Sequence, residues 1–260
     1  MLKKIGAPFI GFVFLNLYFN VPLKLFSSNN LIQFIALISM FPVMYLVAKW
    51  TKLDGLRGIG VYFHKGWFKN LLISLGIGFG FWLLMHSLLI ALGVFSITGI
   101  KSFSTNAMIL LFITVGYGLG SIINDMMICG YVIGHLKGKI SIKWVFLISI
   151  FLYCIDDVWH GGFTVINMIF SFSLGLSLTY AFYKTGSIWA NTGIHWGLNI
   201  CYGLFYGLSG SEKDGIFFIR LGHKNPFVEH IFLISIPLIM FLVIYILITK
   251  TNLYTKKTSN

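Results

Sequence analysis

The run from Asn106 to Leu136, NAMILLFITVGYGLGSIINDMMICGYVIGHL, decides how this chain is read. It contains no Lys or Arg, and one carboxylate, Asp125. A bilayer-spanning helix needs about 20 mostly apolar residues, and this run exceeds that. Asn124 and Asp125 sit well inside it, where a carboxylate costs about 2.5–3.5 kcal/mol on insertion scales. A chain that keeps such residues in hydrocarbon gives them something to do.

Seven further stretches have the same character: roughly 5–23, 31–48, 70–93, 144–161, 164–183, 187–207 and 227–249. The fold class expected is therefore all-α, a polytopic membrane bundle of about eight helices, with residues 1–260 as one transmembrane domain. Composition agrees. The 260 residues are 57% hydrophobic and only 10% charged, and mean hydropathy is +0.88. Soluble domains are about 25% charged, so a soluble enzyme, a disordered chain and an ordinary nucleic-acid binder are all excluded. Met1-Leu2-Lys3-Lys4 resembles the start of a signal peptide. No small-x-small cleavage site follows, so an uncleaved first helix is expected.

The net charge of +12 reads as topology, not as a nucleic-acid surface. With the N-terminus in the cytoplasm, 14 of the 19 basic residues fall inside, including those of loops 49–69 and 137–143. Lys24, Lys101, Lys213, Arg220 and Lys224 remain outside. Both termini are then expected to be cytoplasmic. Lys dominates over Arg, present only at Arg57 and Arg220. That bias fits the AT-rich codons of a low-GC bacterium and hence a bacterial cytoplasmic membrane. Cys129, Cys154 and Cys201 lie in apolar stretches without zinc or redox spacing and read as packing residues.

Three polar clusters interrupt the apolar runs. Asn124 and Asp125 form the first. Asp156, Asp157 and His160 form the second, with Asp156 and His160 four apart and so on one helical face. His195 and Asn199, again four apart, form the third. Gly193 and Gly197 flank that histidine and would let another helix or a substrate backbone come close. One reading is polar glue between helices, about 0.6–2 kcal/mol each. The other is a shared cavity in which Asp125, His160, His195 and Asn199 converge. His86 stands alone and reads as a packed or interfacial histidine.

The order of the clusters resembles the CPBP family, the CAAX-protease and bacteriocin-processing (Abi) membrane proteins. Its signature is Glu-Glu-x-x-x-Arg, then Phe-x-x-x-His, then His-x-x-x-Asn. His195 and Asn199, after Ser187-Ile188-Trp189-Ala190, meet the third motif. His160 meets the histidine of the second, with Asp156 at the Phe position. Asn124 and Asp125 stand for the two glutamates and Cys129 for the arginine, followed by Gly130-Tyr131. The likeness covers roughly 106–207.

What the resemblance implies is an intramembrane endopeptidase acting on a membrane-associated peptide or protein. His160 would be the water-activating partner, and His195 with Asn199 the oxyanion donors. No cofactor is implied, although Asp125, His160 and His195 in one cavity would also suit a divalent metal. Asn124 cannot act as a base. Asp125 can, but it lies one residue along, about 100° around the helix; Asp156 or Asp157 could instead supply the carboxylate.

Three readings stay open. The first is a peptidase using Asp for Glu. The second is a degenerate member, a pseudoenzyme, that binds a membrane partner in bacteriocin immunity or regulation. The third is a small transporter or channel, against which the absence of inverted repeats and of Pro/Gly-broken helix pairs counts. The partners expected are the bilayer and a membrane peptide or protein, not nucleic acid. His160 lies about 25 Å along an ideal helix from Lys143, deeper than His195, so a broken or tilted helix is expected there.

Overall fold

The computed structural model describes residues 2–26, 29–223 and 225–255, apart from the side chains of residues 2–5, 30, 160 and 161. The long helices are α1 (Leu2–Leu25), α2 (Asn30–Trp50), α3 (Trp67–Ala91), α4 (Phe103–Asp125), α5 (Ile142–Asp156), α6 (Val165–Thr185), α7 (Trp189–Tyr206) and α8 (Pro226–Lys250). Local sequence sets several of their ends. The side chains of Asn29, Thr164 and Asn225 accept from the backbone N–H groups of Ile32, Asn167 and Val228, satisfying N-terminal donors. Gly186, at φ +73°, stops α6 in the left-handed region that favours glycine.

Among the described residues, six helical stretches are long and apolar enough to cross a bilayer: Gly6–Leu25, Leu31–Trp50, Trp67–Ala91, Phe103–Leu136, Val165–Thr185 and Pro226–Lys250. The protein is a polytopic helical membrane protein. Two of the eight expected spans differ from these six. Helix α5 has 15 residues, because the chain breaks at Asp157 before a short turn, Val158–Gly161. Helix α7 has 18 residues, and Asn191, Thr192, His195 and Asn199 lower its hydropathy. The break after Asp156 is the interruption that the depth of His160 called for.

Outward faces are apolar. Leu31, Phe103, Leu111, Phe151 and Leu242 are all exposed, Phe103 by 89%, as expected where the solvent is hydrocarbon. Polar side chains turn inward: Asn20, Asn70, Ser74, Asp125, Asp156 and Asn191 are buried. Strand β1 (Phe95–Ile100) pairs antiparallel with β2 (Phe217–Leu221), with an irregularity between Ile97 and Gly99. This long-range strand pair was not anticipated from the sequence. His86 is packed as expected, stacked on Phe205 at 4.2 Å with Nδ1 2.7 Å from the Trp82 carbonyl.

Two close approaches set the register of the core. Helices α3 and α7 meet backbone to backbone. A Cβ added to Gly78, Gly193 or Gly197 would lie 2.1, 2.4 or 2.1 Å from the carbonyl oxygens of Ile194, Leu71 and Leu75. The expectation that Gly193 and Gly197 admit a neighbouring helix is met by α3. At the second approach, α4 continues as a fully buried π-helical segment, Met126–Ile133. There a Cβ on Gly130 would lie 2.4 Å from the Ile59 carbonyl. The 51–66 loop is thus partly folded into the protein. It also docks on the turn before α7, through Trp189 Nε1 donating to the Tyr62 carbonyl at 2.7 Å and His64 facing Ser187 Oγ at 2.9 Å.

Candidate functional site

With Gly193 and Gly197 facing α3, His195 faces the opposite way, since successive helical residues are about 100° apart. That side holds α4. His195 Nδ1 lies 3.4 Å from Asp125 Oδ1, an ion-pair distance if the imidazole is protonated. The histidine side chain is 16% exposed and the carboxylate 0%. One turn away the two helices meet again, Asn199 Nδ2 donating to Ser121 Oγ at 3.1 Å. Ser121 and Asp125 on α4 match Asn199 and His195 on α7, four residues apart on each.

Helix α5 supplies the third side. Tyr153 donates its hydroxyl hydrogen to Asp125 Oδ1 at 2.6 Å, and Cys129 Sγ sits 3.2 Å from the same hydroxyl. Asp125 Oδ2 is buried and has no hydrogen-bond partner among the described residues. Helix α4 thus enters its π-helical segment just beyond the carboxylate, and π turns recur at functional sites. A carboxylate fixed by a phenol and facing an imidazole can stabilise imidazolium and so support proton transfer from water.

Asn124 and Asp156 belong to an adjoining network. Asn124 Nδ2 donates to Asp156 Oδ2. Asp156 Oδ1 accepts from Asn16 Nδ2 at 2.5 Å and Asn20 Nδ2 at 3.1 Å. Trp159 Nε1 closes the ring on Asn16 Oδ1 at 3.1 Å. Three amides therefore cradle one buried carboxylate, which offsets the cost of desolvating it. A cavity of about 170 Å³, lined by Asn20, Leu23, Lys24 and Trp159, abuts this network. Asp157 turns the other way and accepts from Ser171 Oγ on α6 at 2.6 Å. The Asp156–Asp157 pair is not one unit.

The structure brings Asp125 together with His195, Asn199 with Ser121, and Asn124 with Asp156. The side chain of His160 lies outside the described residues; its backbone belongs to the short turn after the α5 break. Among the described residues, no three His, Cys, Asp or Glu side chains gather as a metal-binding group.

Sequence reasoning missed several participants. Asn16 and Asn20 lie four apart in an apolar first helix, and that spacing was a readable signal. Tyr153 gave none, since tyrosine is ordinary in membrane helices. Asn191, one turn before His195 on the same side of α7, is fully buried, and neither amide atom has a hydrogen-bond partner among the described residues. His135, also buried, places Nε2 3.0 Å from Thr51 Oγ1.

Residues 105–201 match the family model described as Type II CAAX prenyl endopeptidase Rce1-like. No curated protein and no solved structure matches the chain. The matched interval contains Asp125, Tyr153, His195 and Asn199, the Asn124–Asp156 part of the adjoining network and the π-helical segment, but not Asn16 and Asn20 of α1. The chain is thus a multi-pass helical membrane protein in which residues 105–201 are similar to the Rce1-like family.

Proposed function

We propose that this protein is an intramembrane endopeptidase that cleaves a membrane-associated peptide or protein, with Asp125 and His195 as its acid–base pair. The observation that carries the reading is the 3.4 Å separation of Asp125 Oδ1 and His195 Nδ1, with Tyr153 holding the same carboxylate oxygen. The base role moves from the position of Asn124, an amide, to its neighbour.

In this reading the pair takes a proton from water as its oxygen bonds the peptide carbonyl carbon. The carbonyl oxygen gains the electron pair. The Asn199 amide, which spends one N–H on Ser121 Oγ, has a second for that oxygen. When the tetrahedral centre collapses, the C–N bond breaks and the proton passes to the amine.

A second reading is favoured by one observation. Asn124 is engaged in the amide cradle around Asp156, so the position of the first family glutamate serves as scaffold. A member built this way would bind a membrane partner without cutting it, in bacteriocin immunity or in regulation.

Purified protein incubated with a lipidated membrane peptide separates the two. The first reading expects cleavage by the parent and a loss of about 10²–10⁴-fold in Asp125→Asn. Asn124→Glu cleaving where the parent does not would support the second. Parent cleavage that survives Asp125→Asn would refute the assignment of the pair.

A further inference from the structure

Helix α3 and its capping glycine carry polar or small residues at every fourth position: Gly66, Asn70, Ser74 and Gly78. Gly78 and Ser74 meet α7. A Cβ on Gly193 would lie 2.7 Å from Ser74 Cβ, and one on Gly78 2.1 Å from the Ile194 carbonyl. The first three positions receive another part of the chain, the segment that follows α8.

Asn70 is fully buried, yet it spends both ends of its amide on one residue's backbone. Thr255 N donates to Asn70 Oδ1 at 2.9 Å, and Asn70 Nδ2 donates to the Thr255 carbonyl at 2.9 Å. This is the pairing a strand would offer, supplied by a side chain. Next to it, Tyr254 is 4% exposed, and its hydroxyl meets Ser74 Oγ at 2.8 Å. Burial pushes that hydroxyl up to about 12, so it remains neutral. Below Thr255 lies Gly66, at φ +90°, where a Cβ would be 2.3 Å from Thr255 Oγ1. The stripe therefore has a floor without a side chain, an amide that reads backbone, and a hydroxyl that reads an aromatic tip.

We propose that Gly66, Asn70 and Ser74 form a receptor for an extended peptide, separate from the Asp125–His195 pair. The chain's own Tyr254-Thr255 fills it, and a peptide supplied in trans can exchange with it. Recognition runs through backbone N–H and C=O, so its ligand class is an extended peptide carrying an aromatic residue before the paired one. Ser74 touches both Tyr254 and the helix of His195, so occupancy braces the α3–α7 contact.

The probe is a fluorescein-labelled peptide of residues 250–257, followed by anisotropy against full-length protein. Thr255→Pro in the protein removes the N–H that Asn70 accepts and empties the site in cis. This variant should bind the peptide saturably, at least about tenfold more tightly than the parent, whose site is filled. Two lost hydrogen bonds correspond to about tenfold. A fall of that size is expected when Asn70→Ala is added, and a smaller one when the peptide carries Pro at the Thr255 position, which removes one of the two bonds. Equal binding with and without Asn70, or none by a folded Thr255→Pro protein, would overturn the proposal.

A second measurement covers poor folding of that variant. In an otherwise unaltered chain, Asn70→Ala should raise the rate of limited proteolysis between Leu253 and Thr255 about tenfold. Unchanged protection would overturn the proposal equally. Neither readout uses peptidase activity.

Discussion

Replacing Gly197 by alanine adds one methyl group, and its cost follows from what that group would meet. The new Cβ would lie 2.1 Å from the Leu75 carbonyl oxygen, 2.8 Å from the Phe79 nitrogen and 2.9 Å from the Leu75 carbonyl carbon. All three are backbone atoms of α3, so no rotamer change relieves the contact. Restoring ordinary separation moves the helices apart by about 1 Å, and overpacking of this kind costs about 1–3 kcal/mol. Alanine recovers up to about 1 kcal/mol of helix propensity over glycine, leaving a net loss of up to about 2 kcal/mol at full recovery. Gly76 and Gly80 on α3 serve as controls, because an added Cβ there meets nothing within 4 Å; alanine at either should be neutral or stabilising. Cys129, Cys154 and Cys201 are all buried free thiols, so a thiol-reactive dye reports unfolding in detergent. Gly197→Ala should melt below the parent, and Gly80→Ala should not. A 1 Å shift of α7 relative to Asp125 should also lower any cleavage rate by about 10²-fold. A Gly197→Ala protein as stable as the parent, or a Gly80→Ala protein equally impaired, would refute the reasoning.

Asp156→Ala should destabilise the protein by at least about 2 kcal/mol, since Asn16, Asn20 and Asn124 lose their shared acceptor. Asp157→Ala should cost about 1 kcal/mol or less, because Ser171 Oγ keeps the Asn167 carbonyl at 2.8 Å; both are read by thermal melts. Asn191→Leu should stabilise by about 1–3 kcal/mol by removing two buried amide atoms that have no partner among the described residues; a lower melting temperature would mean that the amide has a role in the fold. Cysteines introduced at Lys52 and Lys139 should resist impermeant thiol reagents in intact cells, as the charge distribution requires. Labelling of either from outside would invert the topology.

Much of the architecture was legible because membrane helices advertise themselves by length and apolarity, and because carboxylates in hydrocarbon need a reason. Asp125 and His195 stood out for that reason, and Gly193 and Gly197 announced a close helix contact. The sequence could not say which neighbour each polar residue takes. Asp156 and His160 share a face only if the helix is continuous, and α5 ends at Asp156. Three amides surround Asp156 instead, two of them from a first helix that reads as a simple anchor. The β1–β2 pair joins segments more than a hundred residues apart, one of them in the connection between α7 and α8. Such pairing follows from where α3 and α7 end in space.

A double-mutant cycle between Asp125 and His195, read as cleavage of the lipidated membrane peptide by purified protein, tests the central claim most directly. Residues that act as one unit are strongly non-additive. If the 3.4 Å contact is the acid–base pair, Asp125→Asn and His195→Ala each remove most of the activity, and the double variant is little worse than the more damaging single one. Losses that multiply in the double variant, or a parent rate that neither substitution changes, would contradict the account.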